Sequence, residues 1–189
     1  MAEPETSPWN VPNALTAFRI ILVPIFAWML LVHPDEPGWR FLSAAIFSVA
    51  ILTDTLDGYL ARKHNIITRF GKLADPIADK ALTGMAFIGL SIIGELPWWV
   101  TVTILVREWG ITIMRFVVLR YGVMAAGRGG KIKTVTQAIA VIMYLLPLPD
   151  QAHLVAVIVM AIAWVITIVT GLDYIREALR LRRRAHAKR

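Results

Sequence analysis

Six long apolar runs, set apart by short polar breakers, leave this chain few ways to fold. They cover approximately Pro12–Val32, Trp39–Arg62, Phe70–Ile93, Pro97–Tyr121, Lys131–Leu146 and Ala152–Tyr174. Most are about as long as the roughly 20 residues a helix needs to cross a bilayer. Between them stand His33-Pro34-Asp35-Glu36-Pro37-Gly38, Gly94-Glu95-Leu96-Pro97 and Pro147-Leu148-Pro149-Asp150, whose prolines and glycines stop helices. A soluble domain of 189 residues has to cover its surface with polar groups, whereas this one is 57% hydrophobic and 17% charged, with the charges bunched between runs. Its mean hydropathy is +0.62. The pattern predicts an all-α integral membrane protein with six transmembrane helices in a single domain over 1–189. Residues 1–11 form a cytoplasmic lead-in and 175–189 a basic C-terminal tail. There is no cysteine, which excludes a disulfide frame, a thiolate metal site and a cysteine nucleophile. The first ten residues hold Glu3 and Glu5 and no base, unlike the opening of a secretory signal.

The charges also orient the spans. Connectors after the second and fourth runs, and the C-terminus, hold Arg62, Lys63, Arg69, Lys72, Arg120, Arg128, Lys131, Lys133 and the run from Arg180 to Arg189. The other connectors hold Asp35, Glu36, Glu95 and Asp150, with Arg40 as their one neighbouring base. The positive-inside rule then puts both termini in the cytoplasm of a multi-pass protein of the cell membrane. Trp39, Trp98 and Trp99 fall at the outer ends, where an aromatic belt belongs. The net charge of +7 lies beside apolar spans, as topology signals and contacts to anionic membrane lipids require, and so does not indicate nucleic acid. Asp173 to Arg189 reads as a continuing helix, anchored by its arginines on anionic lipid.

Four carboxylates break the apolar pattern: Asp54, Asp57, Asp75 and Asp79. Each costs on the order of 2.5 kcal/mol or more near hydrocarbon unless it is paired, hydrated or metal-bound. At about 100° per residue from Asp54, Asp57 falls at about 300°, Gly58 at 40°, Ala61 at 340° and Arg62 at 80°, all on one side. Gly71, Asp75 and Asp79 drift by only about 40° per step on the next run. A short connector makes the two runs antiparallel neighbours, so the acidic faces can meet. Pro76 is best tolerated in a first helical turn, which makes Asp75 a candidate N-cap; either way Asp79 lies one turn on. Clustered carboxylates call for cations, and hard oxygen ligands suit Mg²⁺ or Mn²⁺, which in turn bind phosphate oxygens. Gly58, Ala61 and Gly71 leave room for a ligand, and Arg62 offers a fork of donors to phosphate. Simple pairing of the acids with Arg62, Arg69, Lys72 or Lys80 would explain neither the small residues nor the shared face.

At these residues the sequence resembles the CDP-alcohol phosphotransferase family, whose signature is Asp-x2-Asp-Gly-x2-Ala-Arg, a spacer, then Gly-x3-Asp-x3-Asp. All eight fixed positions are present: Asp54, Asp57, Gly58, Ala61, Arg62, Gly71, Asp75 and Asp79. The resemblance implies a homodimer of six-helix chains with the active site between helices at the cytoplasmic side. It implies that the four aspartates hold two divalent cations, Mg²⁺ or Mn²⁺, and that Asp79 is also the catalytic base. It implies that Asp54, Gly58, Ala61, Arg62 and Gly71 bind the CDP part of CDP-diacylglycerol. Thr53 and the stretch Asn13-Ala14-Leu15-Thr16, with Arg19, are similar to family positions near the nucleotide. The reaction implied is attack of an alcohol on the phosphorus that bears diacylglycerol, with CMP leaving.

The second half bears on the alcohol. Arg107, Glu108 and Arg115 are charges inside the fourth run, and Lys131 and Lys133 open the fifth. A phosphorylated acceptor needs several such donors, which makes Arg107, Arg115, Lys131 and Lys133 its candidate phosphate ligands. Arg107 to Arg115 and Gly130 to Gln137 are also similar to a branch of the family whose acceptor is sn-glycerol 3-phosphate and whose product is phosphatidylglycerol phosphate. Positive-inside topology is the alternative account of Lys131 and Lys133, and a structural ion pair that of Arg107 with Glu108. Inositol phosphate, serine, or phosphatidylglycerol giving cardiolipin are the other acceptors to weigh. A membrane ion transporter is the reading from another class, and a prenyltransferase of this kind would need more spans.

Overall fold

The computed structural model describes the backbone of residues 11–63, 69–118 and 128–187, and side chains for 14–54, 77–115, 117 and 129–183. Six α-helices lie among the described residues: α1 Val11–Val32, α2 Pro37–Lys63, α3 Arg69–Ile92, α4 Trp98–Val118, α5 Arg128–Leu145 and α6 Asp150–Ala187. Their limits follow the breakers. After α3, Gly94 takes φ +82°, and Glu95 N–H donates to Leu90 O at 3.0 Å while Gly94 N–H donates to Ser91 O at 3.2 Å. That pair of bonds is a Schellman cap, which needs the left-handed conformation glycine adopts most cheaply. Before α6, Pro149 O receives the amides of Ala152 and His153, at 2.8 and 2.9 Å. α3 starts at Arg69, so Asp75 sits inside the helix rather than at its cap.

The chain divides into two compact units, Met1–Glu95 with Tyr144–Pro147, and Leu96–Met143 with Leu148–Arg189. In the first, α1 packs on α2 and α3, and α2 on α3. Phe26 of α1 meets Phe47 of α2 with ring centres 5.9 Å apart, and Leu30, Leu82, Phe87 and Leu90 are buried with them. The helices come close where Gly89 faces Leu30; a Cβ there would lie 2.7 Å from Leu30 Cδ2. Arg40 ties the end of this unit together. Its guanidinium donates to Glu95 Oε1 at 2.6 Å, to Leu145 O at 3.1 Å and to Tyr144 O. The last two are carbonyls left open at the end of α5.

In the second unit α4 packs on α6. Ile104 and Thr101 of α4 are fully buried, as are Ala156 and Ala163 of α6. Two side-chain bonds add register: Trp164 Nε1 donates to Thr103 Oγ1, and buried Gln137 of α5 to Thr167 Oγ1, each at 2.8 Å. Hydroxyls elsewhere in the helices bond back to the preceding turn, as Thr112 does to Glu108 O at 2.8 Å and Thr136 to Ile132 O at 2.6 Å. The outward surface is apolar. Ile21, Trp28, Leu52, Val106, Ile113 and Leu154 are among many large hydrophobic side chains left exposed. Water-soluble monomers rarely present continuous apolar patches, so this architecture is consistent with a membrane protein. Within the described residues, Ala14–Val32 in α1 and Asp150–Arg183 in α6 are long and apolar enough to cross a membrane.

Candidate active site

The acid motif rides on α2 and α3. Both are continuous helices through it, which is the condition for the shared face: 54 to 62 lie on α2 and 71 to 79 on α3. Asp54 and Asp79 have described, half-buried side chains. The side chains of Asp57, Gly58, Ala61, Arg62, Gly71 and Asp75 lie outside the described residues, as do Asn13 and most of the connector bases. Among the described residues no three acids or histidines form a metal-holding group.

Asp54 has a partner that the sequence reading did not give it. Arg19 of α1, with its side chain 1% exposed, donates through Nη1 to Asp54 Oδ1; the Asp54 side chain is 38% exposed. A buried guanidinium costs several kcal/mol in desolvation and persists only where it is well paired. The arginine expected near the nucleotide therefore braces one of the acids, and Thr16, one turn before it, is equally buried. Thr53 points its hydroxyl back to Val49 O at 2.7 Å.

The second unit holds a chain of ions. Glu108 Oε1 accepts from Lys133 Nζ at 2.7 Å and from Arg107 Nη1 at 2.9 Å. Arg107 Nη2 donates to Thr170 Oγ1 at 2.9 Å, and its Nε is buried without a partner. The guanidinium carbons of Arg107 and Arg115 lie 5.8 and 4.8 Å from the centre of the Tyr174 ring. Arg107 and Glu108 thus do form the ion pair weighed from sequence, and it extends to α5. Lys133 has a side chain only 8% exposed, which is not how a solvated topology signal sits, while Lys131 is exposed.

Thr170 and Tyr174 also belong to a cavity of about 360 Å³, whose other lining residues are Gly129, Gly130, Asp173, Arg176, Glu177 and Arg180. A Cβ on Gly129 would come within 2.9 Å of Thr170 Cγ2. A Cβ on Gly130 would come within 3.1 Å of the Tyr174 hydroxyl. None of the four lysines and arginines assigned to the acceptor lines this cavity; Arg107 and Arg115 reach it through contacts to Thr170 and Tyr174. Arg176 and Arg180 do line it, and sequence reasoning had absorbed them into the basic tail. Their spacing of one helical turn was the available signal.

Helix-borne carboxylates on consecutive helices, a buried arginine bracing one of them, and buried cations around Glu108 in a largely apolar all-α chain are what a transferase that handles phosphate groups calls for. The family model for CDP-alcohol phosphatidyltransferase matches residues 9–169, and the chain belongs to that family. It is 48% identical over 172 residues to a Mycobacterium tuberculosis protein named "probable phosphatidylglycerophosphate synthase", covering 90% of this chain and 82% of that one. It is 38% identical over 180 residues to the Bacillus subtilis CDP-diacylglycerol–glycerol-3-phosphate 3-phosphatidyltransferase, covering 88% and 93%. The Shigella flexneri protein of the same name is 37% identical over 178 residues, covering 90% and 95%.

Proposed function

We propose that this protein transfers the phosphatidyl group of CDP-diacylglycerol to sn-glycerol 3-phosphate, releasing CMP and forming phosphatidylglycerol phosphate. The complete acid motif on α2 and α3 carries the donor half of the reading. The acceptor half is supported by the cations Arg107, Arg115 and Lys133, and by relatives named for glycerol 3-phosphate. An acceptor bearing a phosphate matches such a concentration of donors better than serine or a neutral lipid alcohol does.

The chemistry follows from the donor set. Carboxylates alone, without sulfur or imidazole, fit a hard divalent cation. Asp54, Asp57, Asp75 and Asp79 would hold two Mg²⁺ or Mn²⁺ ions, which when bound neutralise the diphosphate and the departing CMP. Asp79 takes the proton from the attacking hydroxyl. Arg62 fixes phosphate oxygens, while Gly58, Ala61 and Gly71 leave space for cytidine. The acceptor's phosphate is assigned to Arg107, Arg115, Lys131 and Lys133.

The apolar outer surface and the charge-sorted connectors support six membrane-spanning helices in the inner or plasma membrane, with both termini and the active site facing the cytoplasm. Diacylglycerol then stays in the bilayer while glycerol 3-phosphate and CMP exchange with water. A homodimer is the assembly we adopt. The test is an assay of purified protein with CDP-diacylglycerol and Mg²⁺, offering glycerol 3-phosphate, inositol phosphate, serine and phosphatidylglycerol in turn. CMP release should be fastest with glycerol 3-phosphate; a preference for another acceptor would overturn the assignment.

A further inference from the structure

Glu108 is an acid inside an apolar helix that the proposed reaction does not use. Val106 and Trp109 beside it are exposed on the apolar surface, and a carboxylate on such a helix is costly without partners. Two of its partners lead to the two helices, α5 and α6, that line the same cavity. Lys133, held at 2.7 Å, stands about one turn along α5 from Gly129 and Gly130, which belong to the α5 side of the lining. Arg107, held at 2.9 Å, reaches Thr170 Oγ1 and the face of Tyr174, which belong to the α6 side of the lining. Gly171 between them has no side chain to obstruct this; a Cβ there would lie 3.1 Å from Arg107 Cγ. One carboxylate, 19% exposed, therefore links α4, α5 and α6 around the space.

We propose that Glu108 is a positioning residue for the acceptor's phosphate: by holding Lys133 and Arg107 it keeps the α5 and α6 walls at the spacing a phosphate monoester needs. The proposal rests on the glycerol 3-phosphate reading and adds a side chain that does not touch the acceptor. Two effects of removing the carboxylate have opposite signs. As a mere counter-charge, Glu108 weakens anion binding, and its loss would tighten the site. As a positioning group, its loss lets two cations repel each other and leave their places, and the site weakens.

Steady-state kinetics of the full-length protein and its Glu108→Gln, Lys133→Met and double variants decide between these. Glu108→Gln should raise KM for glycerol 3-phosphate about tenfold while kcat and KM for CDP-diacylglycerol stay within about twofold. The double variant should be no worse than Lys133→Met alone, because the two side chains act as a unit. An unchanged or lowered KM for glycerol 3-phosphate, an equal rise for both substrates, or additive effects would overturn the proposal. If the Gln variant does not fold, Glu108→Asp keeps the charge one methylene short, and an intermediate rise is expected; a wild-type KM refutes it. Should the wild type not use glycerol 3-phosphate, the acceptor reading falls. Calorimetric titration of inorganic phosphate then tests Glu108 separately, with binding about tenfold weaker in Glu108→Gln supporting its role and equal or tighter binding excluding it.

Discussion

Replacing Arg19 with Met tests whether a buried guanidinium braces the acid cluster. Methionine keeps much of the apolar stem and removes only the charged fork, so cavity formation contributes little. Breaking a fully buried ion pair by removing one partner costs about 3–5 kcal/mol, because the other charge is stranded. Here the Asp54 side chain is 38% exposed, and water takes over part of its solvation, which lowers the expected loss to about 1–2 kcal/mol. In a chain of this size that corresponds to a fall of about 2–8 °C in Tm. Activity should suffer far more, since a catalytic carboxylate displaced by about 1 Å can lose about 100-fold in rate. Arg19→Lys keeps the charge without the fork and should recover stability more than turnover. The assay pairs a thermal unfolding scan in detergent with CMP release under saturating substrates. If Arg19→Met kept both its Tm and its turnover, the Arg19–Asp54 pair would have no part in the site.

Asp79→Asn should abolish CMP release while binding of CDP-diacylglycerol largely survives, since the amide keeps the shape but cannot accept the hydroxyl proton; near-normal turnover would remove Asp79 as base. Arg40→Ala should lower stability by about 1–3 kcal/mol, by opening Glu95 and the α5 carbonyls, with KM values unchanged in the same preparations. Gly94→Ala should cost about 1 kcal/mol in an unfolding scan for its φ of +82° alone, because a Cβ there meets nothing within 4 Å.

Helix positions were legible because apolar runs and breakers are local signals. The predicted ends of the first three spans fall within two residues of α1, α2 and α3, and the Gly94-Glu95-Leu96-Pro97 breaker became the cap and start it suggested. α5 includes Arg128, Gly129 and Gly130 ahead of Lys131; the two glycines weaken helix propensity, yet they allow the close approach to Thr170 and Tyr174. α6 runs on as a helix to Ala187, as the arginine-rich pattern suggested. What the sequence could not give was pairing across elements. Arg40 stood out as a base among acidic connectors, and its half-buried contacts with Glu95 and the α5 carbonyls account for the exception. Arg19 with Asp54, and Lys133 with Glu108, are separated by 35 and 25 residues, and no periodicity encodes such partners. Arg176 and Arg180 were hidden by a sufficient simpler explanation, because the positive-inside rule alone predicts arginines there.

The most direct measurement follows radiolabelled glycerol 3-phosphate into the lipid phase, using purified protein in vesicles containing CDP-diacylglycerol. With Mg²⁺ present, label should enter a chloroform-soluble phosphatidyl product in step with CMP release, and should stop on chelation or in Asp79→Asn. CMP appearing without labelled lipid, or label entering lipid equally well in the Asp79 variant, would contradict the phosphatidyl transfer assigned to this chain.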